Sequence, residues 1–436
     1  MSSNLRGNRM SHPHIFMINP LLKIRLLLAL RRVKKSATIC LLTLHADIDS
    51  TYAGGTEGHV RHLRSLLLEK NHAVLVCSPS KKRKFILRGM LGSEVFFEGS
   101  FHRKQLRNII ALLATYVDRL HVHHTIGWPD SAVEALAKSA IPIKTVTAHD
   151  FWFLCPSINL LTGMERSFFC GVESDMSKCN DCLAKKWHHV DETIQDYRAG
   201  SLAFLQYFSA ITMPSPSMLP YFEKAYGAMW SQIAPRVKVL PHYLGHLLSI
   251  QPVSTRAEPK GDTKERLCFI GALGEHKGAK IIIEAIPDLQ KAGFEVEIFG
   301  VIHPNQHPNL DSIKITPYKN SQELMQLLSV KGAPDYLCYA PIWPETYLYT
   351  MYEGFMICPT AIPIVGPYGN PAQVCKESGI GPIMREGTSA ALIEAAMLAR
   401  QSRHEYYKKL VPFVKDLRDK ISRRSYLDEY FEATAP

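Results

Sequence analysis

Glu345 and Glu353 stand with seven residues between them in the stretch 344–354, where an apolar run gives way to a helical pattern. The run, residues 335–340, has the continuous hydrophobicity of a parallel strand buried on both faces. From Leu348 onward the pattern reads as a helix start, which leaves the backbone N–H groups of Tyr349 and Thr350 without intrahelical partners. Free amides and the helix dipole attract phosphate. Glu353, about one turn in, can accept hydrogen bonds from a ribose diol, while Glu345 sits in the loop ahead. A loop carboxylate, an anion-binding helix end and a second carboxylate suit a nucleotide-sugar better than a metal. The blander alternative is a loop-to-helix junction with two solvated glutamates.

The rest of the chain supplies elements able to position these groups. With 436 residues, 46% of them hydrophobic, it can bury two substantial cores. Residues 37–44 form an apolar strand, Gly54-Gly55 a turn, residues 59–67 a helical pattern and residues 74–77 a second strand. That is a βαβ unit whose glycine turn lets backbone approach a ligand, although no G-x-G-x-x-G fingerprint is present. Residues 119–124 and 143–150 are further strands, the latter ending in His149-Asp150. Ligands of open parallel sheets bind beyond the carboxyl ends of strands, which is where His149 falls. After strands at 208–215 and 237–241, a Pro/Ser/Thr/Lys/Gly-rich linker spans 247–264. Strands at 267–271, 296–300 and 362–366 then restart the alternation, and helices follow from residue 389. Asp47-Ile48-Asp49 has the spacing of a metal–nucleotide D-x-D, but repeated βα units argue against that use.

These landmarks resemble the retaining glycosyltransferases of the two-Rossmann GT-B type, specifically family 4 and its bacterial surface-polysaccharide subgroup. Residues 343–353 are similar to that family's Glu-x7-Glu motif in the form WPETY-x-YT-x-x-E, GGTEGHV to its N-terminal glycine loop, and His149-Asp150 to its HD position. FIGALGEHKG, residues 269–278, resembles the signature opening the second domain, and IPIVG, residues 362–366, the G-x-P-V strand. The resemblance implies an α/β fold of two doubly wound Rossmann-like domains facing a central cleft, with the last helix crossing back to the first domain. Its divisions would be an arm 1–36, an acceptor-side domain 37–246, the linker 247–264, a nucleotide-sugar domain 265–415 and a closing helix 416–436. It implies donor binding by Gly54, Gly55, Gly271, Lys277, Tyr349, Thr350 and Glu353, with His149 and Glu345 as catalytic residues against the sugar. The donor would be UDP-, GDP- or dTDP-linked, the acceptor a glycan or lipid-linked sugar, and no cofactor would be required. Two positions depart from the family: Ala272 stands where arginine is usual, and Leu348 where glycine or serine is frequent. Two rivals stay open: a GT-B sugar-nucleotide epimerase, and a non-catalytic GT-B scaffold, which those two departures favour.

Cys155, Cys170, Cys179 and Cys182 collect within 28 residues, the last two as Cys-x-x-Cys. Such pairs suit zinc or an iron–sulfur cluster, and four reduced thiols are the plain alternative. Family members of the polysaccharide subgroup carry a similar insertion, which makes the set a candidate structural zinc site.

Net charge is +11, yet eight cations and no acids lie in residues 1–35, so the remainder carries only +3. A nucleic-acid partner is therefore not needed to explain the basic pI. Within that leader, residues 21–35 place leucines among Lys and Arg at helical spacing, as in a helix lying on an anionic membrane surface; a loosely docked arm is the alternative. The apolar run 21–30 is too short to span a bilayer and lacks a cleavage site. The expected location is cytoplasmic, peripheral to the inner face of the plasma membrane.

Overall fold

A computed structural model describes residues 18–49, 54–162, 168–186, 192–254, 264–302 and 313–435. The chain forms two compact units, Met1–Thr145 and Val146–Pro436.

The first unit opens with α1 (Pro20–Val33), started by proline at its first position and by the Asn19 side chain, which accepts from the amides of Leu21 and Leu22. It continues through β1 (Ile39–Thr43), α2 (Gly55–Glu69), β2 (Ala73–Ser80), β3 (Lys84–Leu91), β4 (Glu94–His102), α3 (Leu106–Leu113), β5 (Arg119–Val122) and α4 (Asp130–Lys138). The strand order is β5-β1-β2-β3-β4. β1 is buried along its whole length and pairs in parallel with both β2 and β5, as its unbroken hydrophobicity requires. β3 and β4 form an antiparallel edge that the sequence reading did not specify. α1 lies against β4, with Leu22 beside Gly99, and buries Leu26, Leu30 and Val33. Its far end is tied down by Arg31 to the Tyr116 hydroxyl and by the Lys34–Asp118 ion pair.

β6 (Ile143–Thr147) runs across the division between the units. The second unit then contains a short hairpin, β7 (Leu161–Thr162) with β8 (Phe168–Phe169), followed by α5 (Met176–Lys186), α6 (Ile194–Leu205), β9 (Ala210–Met213), α7 (Leu219–Tyr226) and β10 (Val237–Val239). β9 lies between β10 and β6, and the Thr147 and Thr212 hydroxyls meet at 2.6 Å in the buried seam.

Next come β11 (Glu265–Leu273), α8 (Ala279–Lys291), β12 (Phe294–Ile302), β13 (Lys314–Thr316), α9 (Ser321–Ser329), β14 (Tyr336–Tyr339), α10 (Tyr349–Ile357) and β15 (Ile362–Val365). Their strands make a wholly parallel sheet of order β13-β12-β11-β14-β15, the Rossmann-like arrangement that alternating strands and helices predict. α11 (Gly369–Ser378), α12 (Ser389–Gln401), α13 (Arg403–Arg423) and α14 (Tyr426–Ala433) complete the chain. At the amino ends of the strands Arg266, 1% exposed, is held by Glu297, while Arg403 binds Asp335 and Arg400 binds Glu265. These pairs fix α12 and α13 and leave the opposite, carboxyl end of the sheet for chemistry. No helix of the described residues is long and apolar enough to cross a membrane.

Candidate functional site

Two glycines open the carboxyl end of the sheet. Gly271 ends near the close of β11 at φ 120°, and Gly300 beside it in β12 at φ 137°, both in the region that disfavours side chains. A Cβ on Gly300 would lie 1.9 Å from the Gly271 carbonyl oxygen, and one on Gly271 would reach the Thr350 methyl at 3.5 Å. β11 is thereby brought against the start of α10.

After β11 a single 3-10 turn, Glu275–Lys277, ends at Gly278 with φ 80°. The Ile342 amide donates to the His276 carbonyl at 3.1 Å, and a Cβ on Gly278 would strike the Ala340 carbonyl at 2.1 Å. The loop after β14 therefore packs directly on the turn after β11, and Lys277 meets Glu345 as an ion pair. Trp343 Nε1 donates to the same Glu345 oxygen at 2.9 Å, so this 3% exposed carboxylate holds one cation and one neutral donor. Its backbone is clamped from the other side. The Asn370 amide donates to the Glu345 carbonyl at 2.7 Å, and Gly369 at φ 75° admits that approach because a Cβ would sit 2.3 Å from the same oxygen.

α10 begins at Tyr349 with Leu348 as an N-cap that supplies no side-chain acceptor. The amides of Tyr349 and Thr350 make no backbone bond among the described residues, leaving two donors at the positive end of the helix dipole. Glu353 accepts from the Ser321 hydroxyl at 2.9 Å. Burial raises its carboxyl above the usual range, and the Ser321 bond offsets part of that rise.

His149 follows β6 and is buried; its carbonyl accepts from the Thr346 hydroxyl at 2.5 Å, which ties it to the glutamate loop. Its ring lies 5.1 Å from that of His242, which in turn stacks on Tyr349 at 5.6 Å. His242, Asn370, Trp343 and Ser321 are site residues to which the sequence reading gave no role. His242 and Asn370 occur singly, at a strand exit and a helix start, and carry no spacing signal; only Trp343 lay inside the quoted motif.

Lys277, Glu345, Gly271, Thr350 and Tyr349 are thus gathered around one strand end, with Glu353 a turn further and His149 joined through Thr346. Gly54 and Gly55 belong to the first unit, where the Gly54 amide donates to Glu57 at 2.8 Å and starts α2. Ala272 is exposed and brings no charge to its position.

The cysteines are distributed over the start of the second unit. Cys179 and Cys182 sit one turn apart on α5, Cys170 follows β8, and Cys155 lies in the loop after β6. Cys182 contacts the Thr162 hydroxyl at 3.3 Å, and burial pushes the Cys155 thiol up to about 12. Among the described residues no three of these sulfurs are gathered closely enough to form a candidate metal cluster.

No family model matches the sequence, and no curated protein matches it. Solved structures do. The sucrose-phosphate synthase of Thermosynechococcus elongatus matches with TM-score 0.56 at 13% identity, covering 88% of this chain and 94% of its own. Anabaena HepE, solved with UDP and glucose, matches with TM-score 0.56 at 13% identity over 90% and 98%. The catalytic domain of Arabidopsis thaliana starch synthase IV, bound to ADP and acarbose, matches with TM-score 0.53 at 13% identity over 92% and 99%. The mixed α/β architecture with parallel sheets is the GT-B fold that the sequence reading expected.

Proposed function

We propose that the chain is a retaining, metal-independent glycosyltransferase. It moves a hexose from a UDP-, GDP- or dTDP-linked donor to a glycan or lipid-linked acceptor in cell-surface polysaccharide assembly. The observation that carries this reading is the Lys277–Glu345 pair set beside the uncapped start of α10. HepE was solved with UDP and the starch synthase domain with ADP, and the reading extends a nucleoside diphosphate to this chain.

In the free protein the Lys277 ammonium is held by Glu345. An arriving diphosphate competes for that cation and for the Tyr349 and Thr350 amides, which together neutralise the charge that grows on the leaving oxygen. Glu345, still held by Trp343, is released toward the sugar hydroxyls, and Glu353 takes the ribose. His149 supports the sugar. The bond between the anomeric carbon and the diphosphate oxygen breaks as the acceptor oxygen bonds on the same face, and the acceptor proton passes to the departing diphosphate. No step runs through a metal; the four cysteines enter only as a candidate structural zinc set. Residues 37–246 serve as the acceptor half and residues 265–415 as the donor half. The protein works at the cytoplasmic membrane face, held to anionic lipid through residues 21–35.

A thermal-shift panel of UDP, GDP, dTDP and CDP tests the donor site. A diphosphate at about a hundred times its Kd adds about 2.7 kcal/mol of stability. The expected result is a clear rise in Tm with one of them and its loss in Lys277→Ala; no rise with any of the four overturns the reading. The missing charge at Ala272 favours one second reading, a sugar-nucleotide-binding protein without transfer activity. It predicts the same Tm rise without turnover of donor.

A further inference from the structure

α1 presents two different faces. Leu26, Leu30 and Val33 are buried against the unit, whereas Leu21, Ile24 and Leu28 are 74%, 53% and 60% exposed. The exposed three stand at i, i+3 and i+7 and so line one outward stripe. Arg25 and Arg32 flank that stripe, and together with Lys23 and Lys35 they are exposed and make no ion pair among the described residues. Neither α1 nor the segment 70–93 contains an acidic residue.

The fold adds a second element. Leu22 at the amino end of α1 packs beside Gly99 of β4, its Cδ1 3.1 Å from where a Cβ would stand. Three residues along β4, His102 is the register partner of Lys84, which closes the β2–β3 turn. At about 3.3 Å per residue the turn is about 10 Å along the strand from the helix. That turn is Lys81-Lys82-Arg83, and Arg103 follows β4 beside it, donating its amide to the Arg83 carbonyl at 2.9 Å. Lys81, Lys82, Arg83, Lys84 and Arg103 are all exposed and none forms an ion pair among the described residues. Lys82 and Arg83 both hold φ 59°, a left-handed conformation for which Asn-Gly is the ordinary choice in a hairpin. Cations are kept where the backbone would prefer small turn residues. The turn lies at the carboxyl end of β2, the end of the parallel strands from which the Gly54-Gly55 loop also leaves β1.

We infer that the outward stripe of α1 and the basic β2–β3 turn form one composite face that docks on an anionic lipid bilayer. The leucines enter the headgroup boundary, and the turn with Arg103 binds phosphate headgroups. Interleaved apolar and basic groups fit a bilayer surface better than a polyanion such as nucleic acid, which has no place for three exposed aliphatic side chains. This deepens the membrane partner named above and rests on it, while being independent of the donor chemistry. It also changes the role of α1, which covers a face of the sheet at β4 as well as anchoring. Truncation of residues 1–35 would bare the face on which Leu26, Leu30 and Val33 are buried, so point variants are the sound probe.

The experiment is sedimentation of the full chain with vesicles of phosphatidylcholine plus phosphatidylglycerol, and with phosphatidylcholine alone. Leu21→Gln/Ile24→Gln/Leu28→Gln removes the stripe at exposed sites. Lys81→Gln/Lys82→Asn/Arg83→Asn removes the turn charges with residues that tolerate left-handed φ. The expected result is that the parent pellets only with the anionic vesicles. Each triple variant should lower partitioning, the turn variant on the order of a hundredfold at low salt, with an unchanged nucleotide thermal shift. Full binding by the turn variant overturns the composite face and leaves α1 as a simple anchor. Full binding by the stripe variant overturns it in favour of a polyanion site. No pelleting of the parent overturns both this inference and the membrane partner, without touching the donor reading.

Discussion

Lys277 and Glu345, sixty-eight residues apart in sequence, form an ion pair where β11 and β14 end as neighbours in the parallel sheet. The lysine side chain is 28% exposed and the glutamate only 4%, so the partners are unequal. Removing the lysine strands a buried carboxylate, whereas removing the glutamate frees a cation that water can reach.

That inequality gives the first prediction. Lys277→Ala should destabilise the free protein more than Glu345→Gln, which keeps an acceptor for Trp343. A double-mutant cycle with Lys277→Ala/Glu345→Ala should show a coupling of about 0.5–3 kcal/mol by urea unfolding. Strict additivity would mean that the pair contributes nothing to the free state. Nucleotide binding should still fail in both variants lacking Lys277.

Glu353 sets stability against binding. Its folded carboxyl is raised by burial, so the folded state binds the proton more tightly than the unfolded chain. The sign follows: this group favours folding below the unfolded value of about 4.3, and that advantage is lost as pH rises through the folded value. Glu353→Gln should therefore gain Tm relative to the parent between pH 4 and neutrality while losing about 1.5–3 kcal/mol of nucleotide affinity. A Tm difference that stays flat over that pH range would contradict the assigned burial.

Histidines of the first unit should confer acid sensitivity. His59 on α2 is 2% exposed, and burial, with His62 nearby, holds it down to about 3. Its ring lies 5.5 Å from His123, which stacks on His121 at 3.9 Å, and His121 is also held well below its usual value by burial. For groups lowered in the folded state, stability is complete above the unfolded value of about 6.5 and falls as pH drops below it, by about 1.4 kcal/mol per pH unit for each. His59→Gln should flatten the fall of the urea midpoint below pH 6.5. Identical slopes in parent and variant would remove His59 from the account.

Chelation separates catalysis from architecture. Transfer activity should persist in EDTA, because Lys277 and the amides of α10 meet the diphosphate charge. Reversible loss of activity with the fold intact, restored by magnesium or manganese, would overturn the metal-independent mechanism. A fall in Tm on chelation, reversed by zinc, would instead assign a structural ion to the cysteine segment.

Much of this protein is legible in the sequence because the signals are local. Unbroken apolar runs mark β1, β11, β14 and β15, since a parallel strand has no solvent face on which to place polar residues. The start of α10 and the distance between Glu345 and Glu353 follow from helical period and from the loop preceding it. Lys277 is singled out by the resemblance of residues 269–278 to a family signature. What only the tertiary structure decides is which of these groups meet. Lys277 reaches Glu345 because β11 and β14 pair and because Gly278 and Gly369 allow backbones to approach closer than a Cβ permits. His242, Asn370 and Ser321 join the site from separate segments, and an isolated polar residue carries no periodicity that announces its neighbour. The leader shows the same division. Its leucines and cations predict an amphipathic helix, but which leucines face inward is set by packing on β4, which is in place only once a distant hairpin has paired. Local period fixes the elements; strand order and close packing, which act across long sequence separations, fix the site.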